Sequence, residues 1–375
     1  VHRKVIALDI AESVRVAAPV WADLEAYCAE LGVELVSVPP TADPADLGEL
    51  VDRLAGVDVA VFACPDPYTR TARDLLAAAQ GPDAVAPMDL LLHKARTREL
   101  CRRVGVPIPD GCEGAGREIA AAARALLDRT GRVLVKDPDG YAGMGVTRYA
   151  DPDALDAALD TDAEMVVEAF VDGEEFSVEA ICGATGPRFV GWTVKGRTDD
   201  LHPLLRVRYT PPEPVPAVLT GPCERLLAAS GYRGVAEVEL VVADGRPRVL
   251  EANPRTSGVT PNGYFAGRPS ALRHLVADLV GRELPSGPAT GVADYQLPDT
   301  GDEPVPAGDH VYVRVPPPDT EFETRAYLTG TPDQIESTLA RVSPDRAAQF
   351  AQRVEVAAKL LADEGLASLP PAAAR

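Results

Sequence analysis

Three glutamates and an asparagine sit among apolar residues in the run Gly234-Val-Ala-Glu-Val-Glu-Leu-Val-Val-Ala-Asp-Gly-Arg-Pro-Arg-Val-Leu-Glu-Ala-Asn-Pro-Arg255. Asp244-Gly245 marks the turn of a hairpin. Its loop length decides which side chains share a face. A three-residue loop, Ala243-Asp244-Gly245 with Gly245 left-handed, pairs Val242 with Arg246. Glu239 and Glu251 are then diagonal neighbours on one face, with Asn253 two residues further on. A two-residue loop would set the glutamates on opposite faces. In the first register, which we expect, Glu239, Glu251 and Asn253 form a cluster of hard oxygen ligands. That set suits Mg²⁺, which takes a few protein oxygens and completes its shell with water and phosphate. Strands are depleted in Glu, and apolar residues fill the other face, so a metal explains these acids better than solvation does. Glu237 falls on the same face, either as a further acidic group near the metal or as an amine-binding residue.

A second group is Val133-Leu-Val-Lys136-Asp-Pro-Asp-Gly140-Tyr-Ala-Gly143-Met-Gly145. A lysine leaves a strand and enters a loop with three glycines. Such a loop can fold its N–H groups around phosphate oxygens while Lys136 adds a point charge. No GK[ST] opens a helix here, so it is not a Walker A loop. In Val166-Val-Glu168-Ala-Phe-Val-Asp-Gly173-Glu-Glu175, Glu168 ends an apolar strand and Glu175 begins the next.

These groups need elements to hold them. Strand patterns at Val5–Ile10, Val33–Val38 and Asp58–Cys64 alternate with helical spacing at Ala18–Leu31, Leu47–Leu54 and Tyr68–Ala79, which implies a parallel sheet covered on both faces. The turn after the first strand, Asp9-Ile10-Ala11-Glu12-Ser13, has no glycine, so a GxGxxG dinucleotide site is not expected. A helix follows Asp89 through Lys94 and Val104 and stops at Gly105. From Arg132 the pattern becomes antiparallel: strands at Arg132–Val135, Val146–Tyr149, Met165–Phe170, Phe176–Cys182 and Arg188–Lys195, then the acidic hairpin. Helices are expected at Ile119–Leu127, Asp153–Leu159, Ala217–Ala229, Ala271–Arg282, Gln334–Leu339 and Asp345–Leu361, with strands at Val311–Val315 and Phe322–Leu328.

Composition sets the outer limits. The 375 residues carry 37 Lys+Arg against 57 Asp+Glu, a net charge of −20, which argues against a nucleic-acid backbone or an anionic membrane as partner. An anionic ligand must be held by local positive charge against that field. The six cysteines (28, 64, 101, 112, 182 and 223) show no CxxC spacing, so buried thiols are expected rather than disulfides or structural zinc. No 18-residue apolar run and no leader-like segment is seen, and the expectation is a cytoplasmic protein.

Taken together and in this order, lysine strand, glycine lid, hinge glutamate, second glutamate and E…ExN hairpin, the motifs resemble the ATP-grasp superfamily from about Lys94 to Arg255. The resemblance implies a mixed α/β and α+β fold: an N-terminal Rossmann-like parallel-sheet domain at 1–90, linking helices at 91–130, a β-rich lid at 131–190 and a C-terminal mixed domain at 191–369, with a frayed tail at 370–375. It implies ATP as cosubstrate, with Lys94 and Lys136 on the α/β phosphates, Gly140, Gly143 and Gly145 in the lid, the backbone of Glu168, Ala169, Phe170 and Val171 holding adenine, and Glu175 on the ribose. Glu239, Glu251 and Asn253 would ligate two Mg²⁺ ions, with Mn²⁺ as a substitute. Arg255 would sit near the transferred phosphoryl group and the substrate carboxylate, and one of Lys195, Arg206 and Arg208 would reach the γ-phosphate. The implied activity is ligation of a carboxylate, that of an amino acid, to an amine through an acylphosphate, in specialised metabolism. A purine-pathway ligase would share the core, and homodimers are common among relatives. The loop Thr256 to Tyr264 is expected to line the acceptor pocket. Two other readings stay open. A phosphotransferase on the same scaffold finds no acceptor motif around His2, His93, His202, His274 or His310, and a regulatory nucleotide binder would not need the intact metal ligands and lysines.

Overall fold

The computed structural model describes residues 4–10, 17–39, 41–141, 143–198, 206–284, 289–297, 306–315 and 324–362. The turn at Ala11 to Ser13, His2, His202 and the tail from Pro370 lie outside the described residues. No helix among the described residues is long and apolar enough to cross a membrane. All six cysteines are free thiols, five of them buried and Cys112 half-buried.

Strands β1 (Val5–Ile10), β2 (Glu34–Val38) and β3 (Asp58–Ala63) form a parallel sheet in the order β2-β1-β3. Strand β1 is buried along its whole length, as a strand covered on both faces must be. Ala7, Ala60 and Phe62 pack in one core with the Ala18–Leu31 and Ala271–Leu279 helices, while Ile6, Leu8 and Ile10 share another with the Gly48–Leu54 and Asp66–Gln80 helices.

A second sheet is antiparallel: β4 (Gly111–Ala115), β5 (Val133–Lys136), β6 (Val146–Tyr149) and β7 (Glu164–Ala169), in the order β4-β7-β5-β6. Helices Gly116–Thr130 and Pro152–Leu159 bury Ile119, Leu126, Leu155 and Leu159 against Val133, Val135 and Val167. The helix expected from Asp89 is two helices, Pro82–Leu92 and Lys94–Arg103, divided at His93, whose backbone is extended. That break places Lys94 at a helix start facing the glycine loop, where its N–H donates to the Pro138 carbonyl at 2.9 Å.

The third sheet holds β8 (Glu174–Gly183), β9 (Gly186–Arg197), β10 (Arg208–Thr210), β11 (Gly234–Ala243), β12 (Arg246–Asn253), β13 (Gly291–Gln296), β14 (Val311–Arg314) and β15 (Arg325–Gly330). Its order is β12-β11-β8-β9-β10-β13-β15-β14, antiparallel throughout. Period-two alternation gives it two unlike faces. Phe176, Val178, Trp192, Val194, Tyr209, Val238, Leu240 and Tyr295 face a core completed by Leu226 of the Ala217–Ser230 helix and Phe350 of the Pro344–Leu361 helix. The alternate residues are largely charged or polar, among them Glu237, Glu239, Lys195, Arg208, Asp294 and Arg325.

The acidic hairpin corrects the expected register. Its loop is two residues, with Ala243 paired to Arg246 and both Asp244 (φ 49°) and Gly245 (φ 70°) left-handed, as a type I′ turn requires. A two-residue loop alone would have split the glutamates between faces. A β-bulge intervenes: Leu240 pairs with Val249 and Glu239 pairs with Glu251, so Leu250 is the extra residue on β12. The glutamates therefore share a face, directly opposite one another rather than diagonal, and Glu237 stands opposite Asn253.

The left-handed turn gives a direct test. Gly245→Val should lower stability in urea unfolding by ~1–2 kcal/mol, because a β-branched residue is strained at this φ. Gly245→Asn should cost less, since Asn tolerates the left-handed region. Equal losses would show that the turn is not the one described.

Candidate active site

The glycine loop between β5 and β6, the end of β7 and the polar face of the large sheet enclose an open cleft of about 440 Å³. Seven cationic side chains line it against five acidic ones, so the cleft is net positive within a chain of net charge −20.

At one end stand the carboxylates of the hairpin. Glu239 accepts an ion pair from Lys195 Nζ at 2.6 Å, and Glu251 from Lys94 Nζ at 3.5 Å. Asn253 Nδ2 lies 3.3 Å from Glu251 Oε1 and 3.5 Å from Glu237 Oε2. Glu237 is buried, takes a hydrogen bond from Ser177 Oγ and faces Arg255 Nη1 at 3.8 Å. Burial pushes the Glu239 carboxyl above the usual carboxylate range; Lys195 pulls it down, and the nearby charges of Glu237 and Glu251 push it up further. Burial acts on Glu251 in the same sense, but Lys94, Lys136, Arg255 and Lys195 outweigh it and hold that group low. Lys195, which burial alone would depress, is held above its usual value by Glu239, Glu237 and Glu175. Among the described residues no three His, Cys, Asp or Glu are arranged to close round a metal. The donor set is instead two carboxylates and an amide. It fits an ion that takes few protein oxygens and keeps water and phosphate ligands, as Mg²⁺ does.

The middle of the cleft is built on Lys136, at the end of β5. Its ammonium pairs with Glu168, which Arg98 of the Lys94–Arg103 helix also engages, and all three side chains are buried. Arg98 Nη2 donates in turn to the Pro109 carbonyl at 3.1 Å. The loop beyond Lys136 is closed by Asp137 N–H on the Gly145 carbonyl (2.9 Å) and Met144 N–H on Tyr141 (2.8 Å), and Lys94 Nζ donates to the Gly140 carbonyl. Leu134, Val146, Ala169 and Leu250 supply apolar walls. Of the segment expected to hold a base, Ala169 and Phe170 give their N–H groups to the Asp110 and Arg132 carbonyls, and the Val171 carbonyl accepts from Thr198 Oγ1. Phe170 and Val171 line the cleft. Glu175 is held by Arg206 Nη1 at 2.7 Å.

The three candidate cations thus separate: Lys195 stands on Glu239, Arg206 on Glu175, and Arg208 on Asp294. Several partners escaped the sequence reading. Asp66, at the start of the Asp66–Gln80 helix, binds Arg255 Nε; Arg255 Nη1 also donates to the Thr256 carbonyl at 3.1 Å. Asp294 binds both Arg208 and Arg325. No local signal marks Asp66 or Asp294, because each meets its arginine only through the fold. The loop expected to line an acceptor pocket is mostly turned inward. Thr256 donates to the Ala63 carbonyl, Thr260 bonds Glu179, and Asn262 bonds Thr210 and Asp294, leaving Gly258 at the cleft.

No family model matches the chain. It is 27% identical over 263 residues to the phosphoribosylamine–glycine ligase of Mesorhizobium japonicum, covering 62% of this chain and 55% of that protein. The chain thus spans about half the length of that relative. It is 26% identical over 282 residues to the D-alanine–D-alanine ligase of Desulforudis audaxviator, covering 68% of this chain and 89% of that protein. Its fold matches the crystal structure of L-amino acid ligase from Bacillus licheniformis with a TM-score of 0.62 at 16% identity, over 95% of this chain and 98% of that one. The relatives are ATP-grasp ligases, and the chain has the ATP-grasp fold, with one parallel and two antiparallel sheets.

Proposed function

We propose that the chain joins the carboxylate of an amino acid to an amine at the expense of ATP, giving an amide or peptide bond, ADP and phosphate. The observation that carries this reading is the opposed pair Glu239 and Glu251 beside Asn253, with a lysine on each glutamate, in a net positive cleft. The names of the two sequence relatives support an amino acid as one substrate.

In this reading adenine lies between Leu134, Val146, Ala169 and Leu250, and Glu175 takes the ribose hydroxyls. Lys94 and Lys136 turn to the α/β phosphates, and Gly140, Gly143 and Gly145 close over them. Glu239, Glu251 and Asn253 would hold Mg²⁺, which would supply charge neutralisation to the phosphates. The substrate carboxylate attacks the γ-phosphorus, the bond to the bridging oxygen breaks, and ADP leaves. The amine nitrogen then attacks the acyl carbon. Phosphate departs with the former carboxylate oxygen, and the nitrogen gives up a proton. Lys195 and Arg255 face the charge that develops on the transferring group. The closed glycine loop keeps water from the acylphosphate.

Incubation with Mg-ATP, pooled amino acids and hydroxylamine should yield ADP and an amino-acid hydroxamate by mass spectrometry. AMP in place of ADP would overturn the acylphosphate route, and a stable phosphorylated product would favour phosphotransfer. Glu239→Gln and Glu251→Gln should each lower kcat about 100-fold or more and raise the Mg²⁺ concentration needed for half-maximal rate. Unchanged Mg²⁺ dependence in both would remove them as ligands. Asp66→Asn, which loosens Arg255 without touching the nucleotide lysines, should lower kcat about 10-fold while KM for ATP stays within about twofold. A loss confined to KM for ATP would show that Asp66 acts elsewhere.

A further inference from the structure

We propose that Arg208 and Arg325, held together on Asp294, bind the carboxylate that survives the reaction, that of an acceptor amino acid; this deepens the ligase reading and rests on it. Asp294 is fully buried at the centre of β13. Its Oδ2 accepts from Arg208 Nε at 3.0 Å and from Arg325 Nη1 at 2.8 Å, and its Oδ1 accepts from Asn262 Nδ2 at 2.9 Å. Arg208 Nη2 also donates to the Gly258 carbonyl at 3.1 Å. Both arginines reach the cleft wall. Among the described residues Asp294 is the one carboxylate paired with either of them. Two guanidiniums share one negative charge, so among the described residues this wall of the cleft carries an excess of positive charge. A buried cation without its own anion is costly, and this pair is fixed in place by Asp294, Asn262 and the Gly258 carbonyl. A planar guanidinium reads a carboxylate through parallel N–H···O bonds, which a phosphate-binding lysine does not do.

Position selects which carboxylate. β10 lies three strands from β11, about 14 Å across the sheet at ~4.8 Å per strand. Lys195, on the intervening β9, is turned toward Glu239, on the metal side of Arg208. The reacting carboxylate must lie at the γ-phosphate, beside the hairpin glutamates, and it loses its charge on activation. A fixed positive site on the far side suits a group that stays charged throughout. An amino acid whose amine approaches the acyl carbon can direct its own carboxylate toward the side of the cleft lined by Arg208 and Arg325. Arg208, a sequence candidate for the γ-phosphate, is thereby assigned to the acceptor.

The test compares each of the twenty amino acids with its carboxamide as acceptor, under Mg-ATP, with product masses and ADP as readouts. Wild type should prefer the free acid by about 10-fold or more in kcat/KM. R325Q should raise KM for the acceptor acid about 10- to 100-fold, bring the acid-to-amide preference close to one, and lose at least about 10-fold more with the amino acid than with hydroxylamine, which has no carboxylate. R325K should recover part of the preference. D294N should reduce the preference too, and near-ultraviolet circular dichroism with the thermal midpoint separates this from misfolding. Equal use of acids and carboxamides by wild type, or a loss in folded R325Q that is as large with hydroxylamine as with the amino acid, overturns the assignment. Absence of both ADP and hydroxamate from wild type with every amino acid overturns the ligase reading itself, and the assignment falls with it.

Discussion

Three carboxylates on one small patch of sheet cannot all keep their charge unless cations stand beside them. Glu237, Glu239 and Glu251 are such a patch, and the cations come from different parts of the chain. Lys94 opens a helix, Lys195 comes from β9, and Arg255 follows β12. Arg255 is in turn fixed by Asp66, beside the parallel sheet, and Lys136 by Glu168 and Arg98, within the small sheet. Neutralising the hairpin therefore draws all three sheets to one cleft. Removing one member of a buried ion pair costs ~3–5 kcal/mol because the remaining charge is stranded. The same network that lines the proposed metal and phosphate site thus also ties the three sheets together.

What the sequence made legible follows from how local each signal is. Lys136 with its glycines, Glu168, Glu175 and the acids of the hairpin are short-range patterns, and the fold brings them to one cleft. The hairpin shows the limit of such reading. Its residue types were plain, but the turn is two residues and the register is restored by the bulge at Leu250. Nothing in Arg-Val-Leu-Glu announces a bulge, since the extra residue is a leucine next to a valine, an ordinary strand pair. The shared face was thus reached from a loop of the wrong length. Asp66 lies 189 residues from Arg255, and Asp294 lies 86 from Arg208. No spacing rule connects such pairs. The polar loop after the hairpin misled for the opposite reason. Its hydroxyls and amide suggested a pocket, yet Thr256, Thr260 and Asn262 are satisfied inside the protein, where they orient Asp294 and Glu179.

The fold was read on the same terms. Strands rich in Val, Ile and aromatic residues were placed within a few residues, including Val146–Tyr149 and the arms of the hairpin. Strands β4, β10 and β13 were not expected. β4 is Gly-Cys-Glu-Gly-Ala and carries no β-branched residue, and β10 is three residues long. Each is made a strand by the neighbour it pairs with, Glu164–Ala169 for β4 and Gly291–Gln296 for β10. Tertiary pairing there outweighs weak local preference. The functional consequence is direct, because Arg208 and Asp294 both lie on these unannounced strands.

Charge is ordered along the large sheet. Its polar face runs from the acids of β11 and β12, through Lys195 on β9, to the arginines of β10 and β15. The apolar underside is continuous beneath all of them, so the arrangement is carried by a single rigid layer. A molecule lying across this face meets carboxylates that call for a cation at one end and guanidiniums that call for an anion at the other. Around it the chain is strongly acidic, and at physiological salt that field fades over ~8 Å. Long-range attraction therefore does little to draw anions in. Selection must come from short contacts inside the cleft, where Lys94, Lys136 and Lys195 can exchange a glutamate for a phosphate. In the proposed reading, that exchange at Lys94 and Lys195 frees Glu251 and Glu239 for the metal as the nucleotide arrives.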